Sequence, residues 1–224
     1  MRRVLYSLGT AVCLLLILIV ITCAAVTHMG RDGALYARCF HAYAGTEHLG
    51  VTEDRYDEIA QALAVYLSGD SAEMPYFNEK ELTHLNDIRL LFALFDKAWL
   101  LLIPAAALVF LLLKRPDPKG LAFGSALAVL ILLAIGTCFS VNFEGAFIAL
   151  HKVLFTNDLW LLDPRTDLLI CLMPERMFSA LAVQLALTVL PGWLLAATVL
   201  AVICVLRKRH IRRRISCTSG KEPM

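Results

Sequence analysis

The stretch VLYSLGTAVCLLLILIVITCAAV, Val4–Val26, decides the fold class. It runs 23 residues without a formal charge. A helix through the hydrocarbon core of a bilayer needs roughly 20 such residues. Three more uncharged blocks follow: Ala98–Leu113 with 16 residues, Gly120–Phe143 with 24 and Met177–Leu206 with 30. The shortest gains length upstream through Leu90, Leu91, Phe92, Leu94 and Phe95. The whole chain is 59% hydrophobic, against about 45–50% for a soluble domain. The expectation is an all-α integral membrane protein with four transmembrane helices, over about 4–27, 96–113, 120–142 and 177–206. The first block exceeds the roughly 7–15 apolar residues of a signal-peptide core. Thr22, just before Cys23, is a poor residue for lipoprotein processing, so the block reads as an uncleaved anchor.

Charge orients these helices. Arg2, Arg3, Lys114, Arg115, Lys119, Arg207, Lys208, Arg209, Arg212, Arg213, Arg214 and Lys221 fall on one side, against the acids Asp117 and Glu222. With 21 bases and 19 acids in the chain, the other side holds nine bases and seventeen acids. Cytoplasmic loops of membrane proteins are enriched in Lys and Arg. Both termini are therefore expected in the cytoplasm, with a tail over 207–224. Segments 28–95 and 143–176 are expected outside, forming a cap at the outer interface of a single membrane domain. The basic run after the last block reads as a topology anchor at anionic lipid. No nucleic-acid partner is expected.

The seven cysteines make no framework. Cys13, Cys23, Cys138 and Cys204 lie in apolar blocks and act as small hydrophobes; Cys217 is expected in the cytoplasm. Cys39 and Cys171 share the outer side, where a disulfide is permitted but not required.

The outer segments carry the remaining pattern. Gly30–Gly50, with four glycines, reads as loop and short turns. Thr52 then reads as an N-cap, followed by Tyr56, Ile59, Ala60, Leu63 and Leu67 at helical spacing and Gly69 as a stop. This amphipathic helix lies on the membrane or on other helices. Asn78 and Glu81 form a capping-box pattern. The helix they open carries Leu82, Leu85, Ile88, Phe92 and Phe95 on one face, with Glu81, His84 and Asp87 opposite. It runs into the second crossing or bends there, and Pro104 kinks or interrupts that crossing. In the second outer segment Phe143–Phe155 is helical in pattern, Asn157-Asp158 ends it, and Pro174 precedes the fourth crossing. So apolar a segment is expected to fold back into the interface and line a cavity.

Of the six histidines, His210 belongs to the basic tail, while His28, His41 and His48 sit in loop-like sequence and read as solvated or capping. His84 and His151 differ, because each lies on a helical pattern among apolar neighbours near the outer interface. Glu81 and Asp87 stand three residues either side of His84, so either can orient its ring. Intramembrane and interfacial polar groups are costly and tend to be functional. No serine-nucleophile elbow, HExxH, phosphate loop or dinucleotide fingerprint is present. His84, Asp87 and His151 lack the local spacing of a zinc site, and no metal or other cofactor is expected. Two outward histidines beside apolar surface suit acid–base work on a lipid-borne group. The residues alone leave three readings open: such an enzyme, an ester hydrolase, and a non-enzymatic membrane subunit or sensor. A transporter fits less well, for want of internal charges and an inverted repeat.

Two motifs then carry a resemblance. FNEKELTHLNDIRLLF, Phe77–Phe92, and FEGAFIALHKVLFTNDLWLLDPRTDLLICLMPE, Phe143–Glu175, resemble the two signatures of the bacterial lipoprotein intramolecular transacylases. The four-crossing plan is similar over the whole chain. The resemblance implies an enzyme of the bacterial plasma membrane with its active site on the outer side. It implies transfer of the sn-2 acyl chain of a diacylglyceryl-modified lipoprotein to the α-amine of the same N-terminal cysteine, giving a lyso-form lipoprotein. The implied partners are such lipoproteins and membrane lipid. The family's two essential histidines fall on His84 and His151. Glu81, Asp87, Asn157, Asp158, Trp160 and Asp167 are expected to orient rings or position substrate, with Trp160 lining an acyl groove or anchoring at the interface. The chain departs from the pattern at Lys152, where an acid is commoner, and at Met177-Phe178, where an aromatic pair is usual.

Overall fold

The computed structural model describes residues 2–113 and 117–219, with side chains over 4–113, 117–207 and 209. Lys114, Arg115, Cys217 and most of the basic tail, on which part of the charge argument rests, lie outside those described side chains. The chain forms α1 (Arg2–Met29), α2 (Gly33–Tyr43), α3 (Tyr56–Leu67), α4 (Glu79–Leu112), α5 (Pro118–Val141), α6 (Phe143–Leu154), α7 (Leu168–Leu172) and α8 (Glu175–Ser219). There are no strands among the described residues. Four helices, α1, α4, α5 and α8, are long and apolar enough to cross a membrane. Much of their apolar surface stays uncovered by protein, as at Leu111, 76% exposed, and Val141, 80% exposed. Such surface belongs against lipid.

Two compact units divide the chain. One comprises Met1–Ile21, Trp99–Ala134 and Val189–Met224. Its organising feature is a small-residue stripe on α5: Gly120, Gly124 and Ala128 are its buried residues. A Cβ built on Gly120 would stand 2.1 Å from the Ser7 carbonyl oxygen, and one on Gly124 2.9 Å from Ala11 Cα. Where lipid tails are as apolar as leucine, close backbone approach of this kind holds helices together. Thr10 Oγ1, which donates back to Tyr6 O, accepts a bond from Asp117 N at 3.0 Å and so meets an unpaired amide at the head of α5. Pro104 lies inside α4, which continues through it as helix to Leu112. Of the two outcomes expected of Pro104, a kink or an interruption, the interruption does not occur.

The other unit comprises Thr22–Ala98 and Ile135–Thr188. Its core gathers Leu35, Phe40, Ile59, Leu63, Leu67, Leu85, Leu172 and Met177. The expectation of loop over Gly30–Gly50 is wrong, because α2 fills much of it. Asp32 accepts a hydrogen bond from Leu35 N and caps the helix. Leu35, Tyr36, Cys39 and Phe40 are buried at helical spacing, and α2 packs on α3. Gly33 permits that approach, since a Cβ there would stand 3.4 Å from Ala64 Cβ and 2.5 Å from Gln61 Oε1. The apolar face expected on α3 is buried at Tyr56, Ile59, Ala60, Leu63 and Leu67. Gly69 ends it with a φ of 101° that an L residue rarely adopts. Thr52 makes no side-chain bond to a helical amide; it starts a 3-10 turn, Glu53–Arg55, ahead of α3. Cys39 and Cys171 are free thiols.

The glycine stripe carries a stability prediction. Gly120→Ala drives a methyl into the Ser7 backbone and should cost about 1–3 kcal/mol, the usual range for overpacking. Gly136→Ala, where nothing lies within 4 Å of a new Cβ, should cost nothing. Thermal unfolding of the purified variants in detergent measures both, and equal midpoints would refute the close-packing account.

Candidate active site

The capping box at the start of α4 builds the site. Asn78 Oδ1 accepts from Glu81 N at 3.0 Å, and Glu81 Oε2 accepts from Asn78 N at 2.8 Å. The other Glu81 oxygen, Oε1, accepts from Leu169 N at 2.6 Å, an amide in the first turn of α7. Glu81 is 1% exposed. A buried carboxylate is tolerable only when its lone pairs are met, and here backbone amides meet them. Asp167 completes the join. It accepts from Asn78 Nδ2 at 2.9 Å, Asp163 N at 2.8 Å and Thr166 Oγ1 at 3.1 Å. Burial pushes the Asp167 carboxyl up, but these bonds and Lys80 outweigh it and hold the group below its ordinary value. Lys80 also donates to Leu161 O. Sequence reasoning passed over Lys80, for which a lone lysine in a helix start gives no signal. His48 Nε2 donates to Pro164 O at 2.8 Å, and the Cys171 thiol reaches the same oxygen at 3.1 Å. His48 is thus a capping histidine, as expected. His41 lies on a helix and pairs with Asp57 at 3.1 Å.

With these segments joined, His84 and His151 meet. Their ring centroids are 6.2 Å apart. His84 is 5% exposed, and its Nδ1 has no hydrogen-bond partner among the described residues. Neither Glu81 nor Asp87 takes it, contrary to the expectation that one of them orients this ring. Glu81 and His84 are both buried, together with Leu85 of the apolar face. His151 Nδ1 lies 2.8 Å from Phe147 O. A carbonyl can only accept, so Nδ1 carries the proton and Nε2 of the neutral ring keeps its lone pair. Burial holds the His151 imidazole below its ordinary pKa, with the bond to Phe147 O opposing in part.

Aromatic rings enclose the pair. Phe147 lies 4.0 Å and Trp160 5.0 Å from His151, centroid to centroid. Phe155 reaches both histidines, at 5.1 Å from His84 and 5.7 Å from His151. Phe139, Phe143, Phe147, His151 and Phe155 recur every fourth residue. Phe139–Phe143 and Phe143–Phe147 pack at 5.8 and 5.7 Å, and Phe178 of α8 adds to Phe147 at 5.3 Å. The sequence reading missed this file; its i, i+4 aromatic repeat is the signal that could have found it. Trp160 is 6% exposed and donates Nε1–H to Asn157 O at 2.8 Å. Asn157 Nδ2 donates to Asp87 Oδ2 at 2.9 Å. Asp158 stands apart: its side chain is exposed, and its carbonyl accepts from Leu161 N. Among the described residues, no group of three His, Cys, Asp or Glu side chains could hold a metal ion.

Comparison with known proteins gives the same direction. The family model described as lipoprotein intramolecular transacylase Lit matches residues 9–178. No curated protein matches. Among solved structures, the membrane-integral lipoprotein intramolecular transacylase Lit from Bacillus cereus is similar at 24% identity, over 93% of this chain and 98% of that one, with a TM-score of 0.71. Two variants of that protein, with one histidine replaced by arginine or by alanine, are similar at 24% identity over 93% of this chain, each with a TM-score of 0.68; 94% and 96% of those chains are covered. These likenesses carry the fold.

The His151 geometry predicts its titration. In ring-labelled protein, nuclear magnetic resonance should give His151 a midpoint below 6.5, its ordinary value, with the neutral ring protonated at Nδ1. A midpoint at or above 6.5, or a proton on Nε2, would contradict the burial and the bond to Phe147 O.

Proposed function

The chain belongs to the lipoprotein intramolecular transacylase family of membrane-integral acyltransferases, and from that premise we propose a specific reaction. The enzyme moves the sn-2 acyl chain of a diacylglyceryl-cysteine lipoprotein onto the α-amine of the same cysteine, leaving a lyso-form lipoprotein. It works as a single membrane domain of the bacterial plasma membrane, with both termini in the cytoplasm and the histidines on the outer side. The substrate's lipid chains and the enzyme's bare apolar helices share the bilayer.

The observation that carries the reading is the juxtaposition, 6.2 Å between centroids, of a half-buried His151 and a buried His84 with an unspent ring nitrogen. A group bound between their edges lies within hydrogen-bond reach of both. The amine attacks the ester carbonyl carbon and loses a proton; the C–O bond to glycerol breaks and the glycerol oxygen gains one. His151 Nε2, free in the neutral ring, accepts the first proton and returns it to the leaving oxygen. The free α-amine has a pKa of about 7.7–8.0, close enough for a histidine to manage. His84 Nδ1, protonated, donates to the carbonyl oxygen as it turns anionic. A donor fixed in place before the reaction is worth far more there than in water. Amine and ester belong to one molecule, so holding the substrate bent supplies much of the acceleration. The file of phenylalanines leading to His151 offers the migrating chain an apolar bed. The mechanism needs no covalent acyl-enzyme.

The test is mass spectrometry of a lipoprotein's N-terminal peptide from a host that makes diacylglyceryl lipoproteins, with and without this gene. Expression should convert diacylglyceryl-cysteine to N-acyl, monoacylglyceryl-cysteine. His84→Ala and His151→Ala should each cut conversion at least about a hundredfold, the low end for acid–base groups. A product that has lost one chain and keeps a free amine would make the enzyme an ester hydrolase instead. Full conversion by either inserted variant would overturn the histidine roles.

A further inference from the structure

We propose that Asp87 and Asn157 are a positioning pair that sets the separation and mutual tilt of the two histidines; the proposal rests on the transacylase reading above. Each histidine belongs to a different segment. His84 sits on α4 and Asp87 follows one helical turn later, so the two move together. His151 sits on α6, and the chain after it, from Phe155 to Asp167, carries no helix. Something must hold that stretch against α4.

Asn157 is placed to do so and is spent in three directions. Its Nδ2 donates to Asp87 Oδ2 at 2.9 Å. Its Oδ1 accepts from Leu159 N at 3.1 Å, which closes the local turn. Its backbone oxygen accepts from Trp160 Nε1 at 2.8 Å, which turns the indole toward His151. His151 is thus held between Phe147, on its own helix, and Trp160, whose place depends on Asn157. A chain of three contacts runs from the helix that carries His84 to the ring of His151: Asp87 to Asn157, Asn157 to Trp160, Trp160 to His151. Phe155 packs against both imidazoles. Neither Asp87 nor Asn157 touches the reacting atoms in this account. They act through the rings they place, and a shift of about 1 Å in such rings can cost a hundredfold in rate.

The test exchanges the two groups. Asn157→Asp keeps the acceptor for Leu159 N and the backbone oxygen for Trp160, but sets two carboxylates against each other. With purified enzyme and a synthetic diacylglyceryl peptide in detergent, kcat should fall about a hundredfold and KM should change little. Asp87→Asn keeps a neutral, weaker bond and should fall by an intermediate amount. The double exchange Asp87→Asn with Asn157→Asp restores one carboxylate and one amide with the donor reversed, and should recover at least about tenfold over Asn157→Asp. The ring-nitrogen signals of His151 should move in Asn157→Asp and return in the double variant. Wild-type kcat in Asn157→Asp, or no recovery in the double variant, would overturn the pair. Should Asn157→Asp fail to fold, Asp87→Ala takes its place, and an unchanged kcat there is equally fatal. If the wild type forms no N-acyl product, the transacylase reading fails, while the His151 signals still decide whether the pair positions the ring.

Discussion

One buried carboxylate holds this architecture together. Glu81 closes the capping box that starts α4 and, with its second oxygen, takes the Leu169 amide of α7. Helix starts carry unpaired N–H groups and favour negative charge. One side chain thereby serves two helix starts that lie 88 residues apart. Asp167, on the same Asn78 side chain, doubles the join. Removing either would leave amides or a carboxylate buried without partners, which costs more than the bond itself contributes. The histidines need this join, because His84 follows Glu81 by one turn and His151 precedes α7 by a stretch without helix.

The site built on that join has two contrasting histidines. One spends Nδ1 on the carbonyl a turn earlier in its own helix. The other leaves Nδ1 buried and unpartnered. Buried polar groups are almost always satisfied in folded proteins. In the proposed reaction this exception, inside a ring of aromatic side chains, is where a substrate atom sits. Burial also keeps His151 neutral near pH 7, the state a proton acceptor must occupy. In the proposed reaction the apolar enclosure and the proton chemistry are one device.

Much of this was legible in the sequence, and the misses have physical reasons. The four helices long and apolar enough to cross a membrane, the capping box at Asn78 and Glu81, the apolar face of α3 and the Gly69 stop followed from hydropathy, spacing and backbone preference. The α2 helix did not, because four glycines between Gly30 and Gly50 drew attention from the spacing of Leu35, Tyr36, Cys39 and Phe40. Two of them, Gly30 and Gly33, are there for close approach; a Cβ on Gly30 would lie 2.2 Å from the Phe92 ring. The stripe at Gly120, Gly124 and Ala128 lay in plain view but is silent until the partner helix is known. Local spacing suggested that Glu81 or Asp87 would orient His84. Tertiary partners took both: Leu169 N the one, Asn157 the other. The meeting of His84 with His151, 67 positions apart in the chain, came from the family resemblance and not from any local pattern.

The central claim is that the chain transfers an acyl group within one molecule. A crossover experiment addresses it most directly. Two diacylglyceryl peptides are mixed with the purified enzyme, one heavy in both the peptide and the sn-2 chain, the other light in both. Mass spectrometry of the N-acyl products should find heavy chains on heavy peptides and light chains on light ones. Mixed products at statistical proportion would contradict the account and make the enzyme an intermolecular acyltransferase.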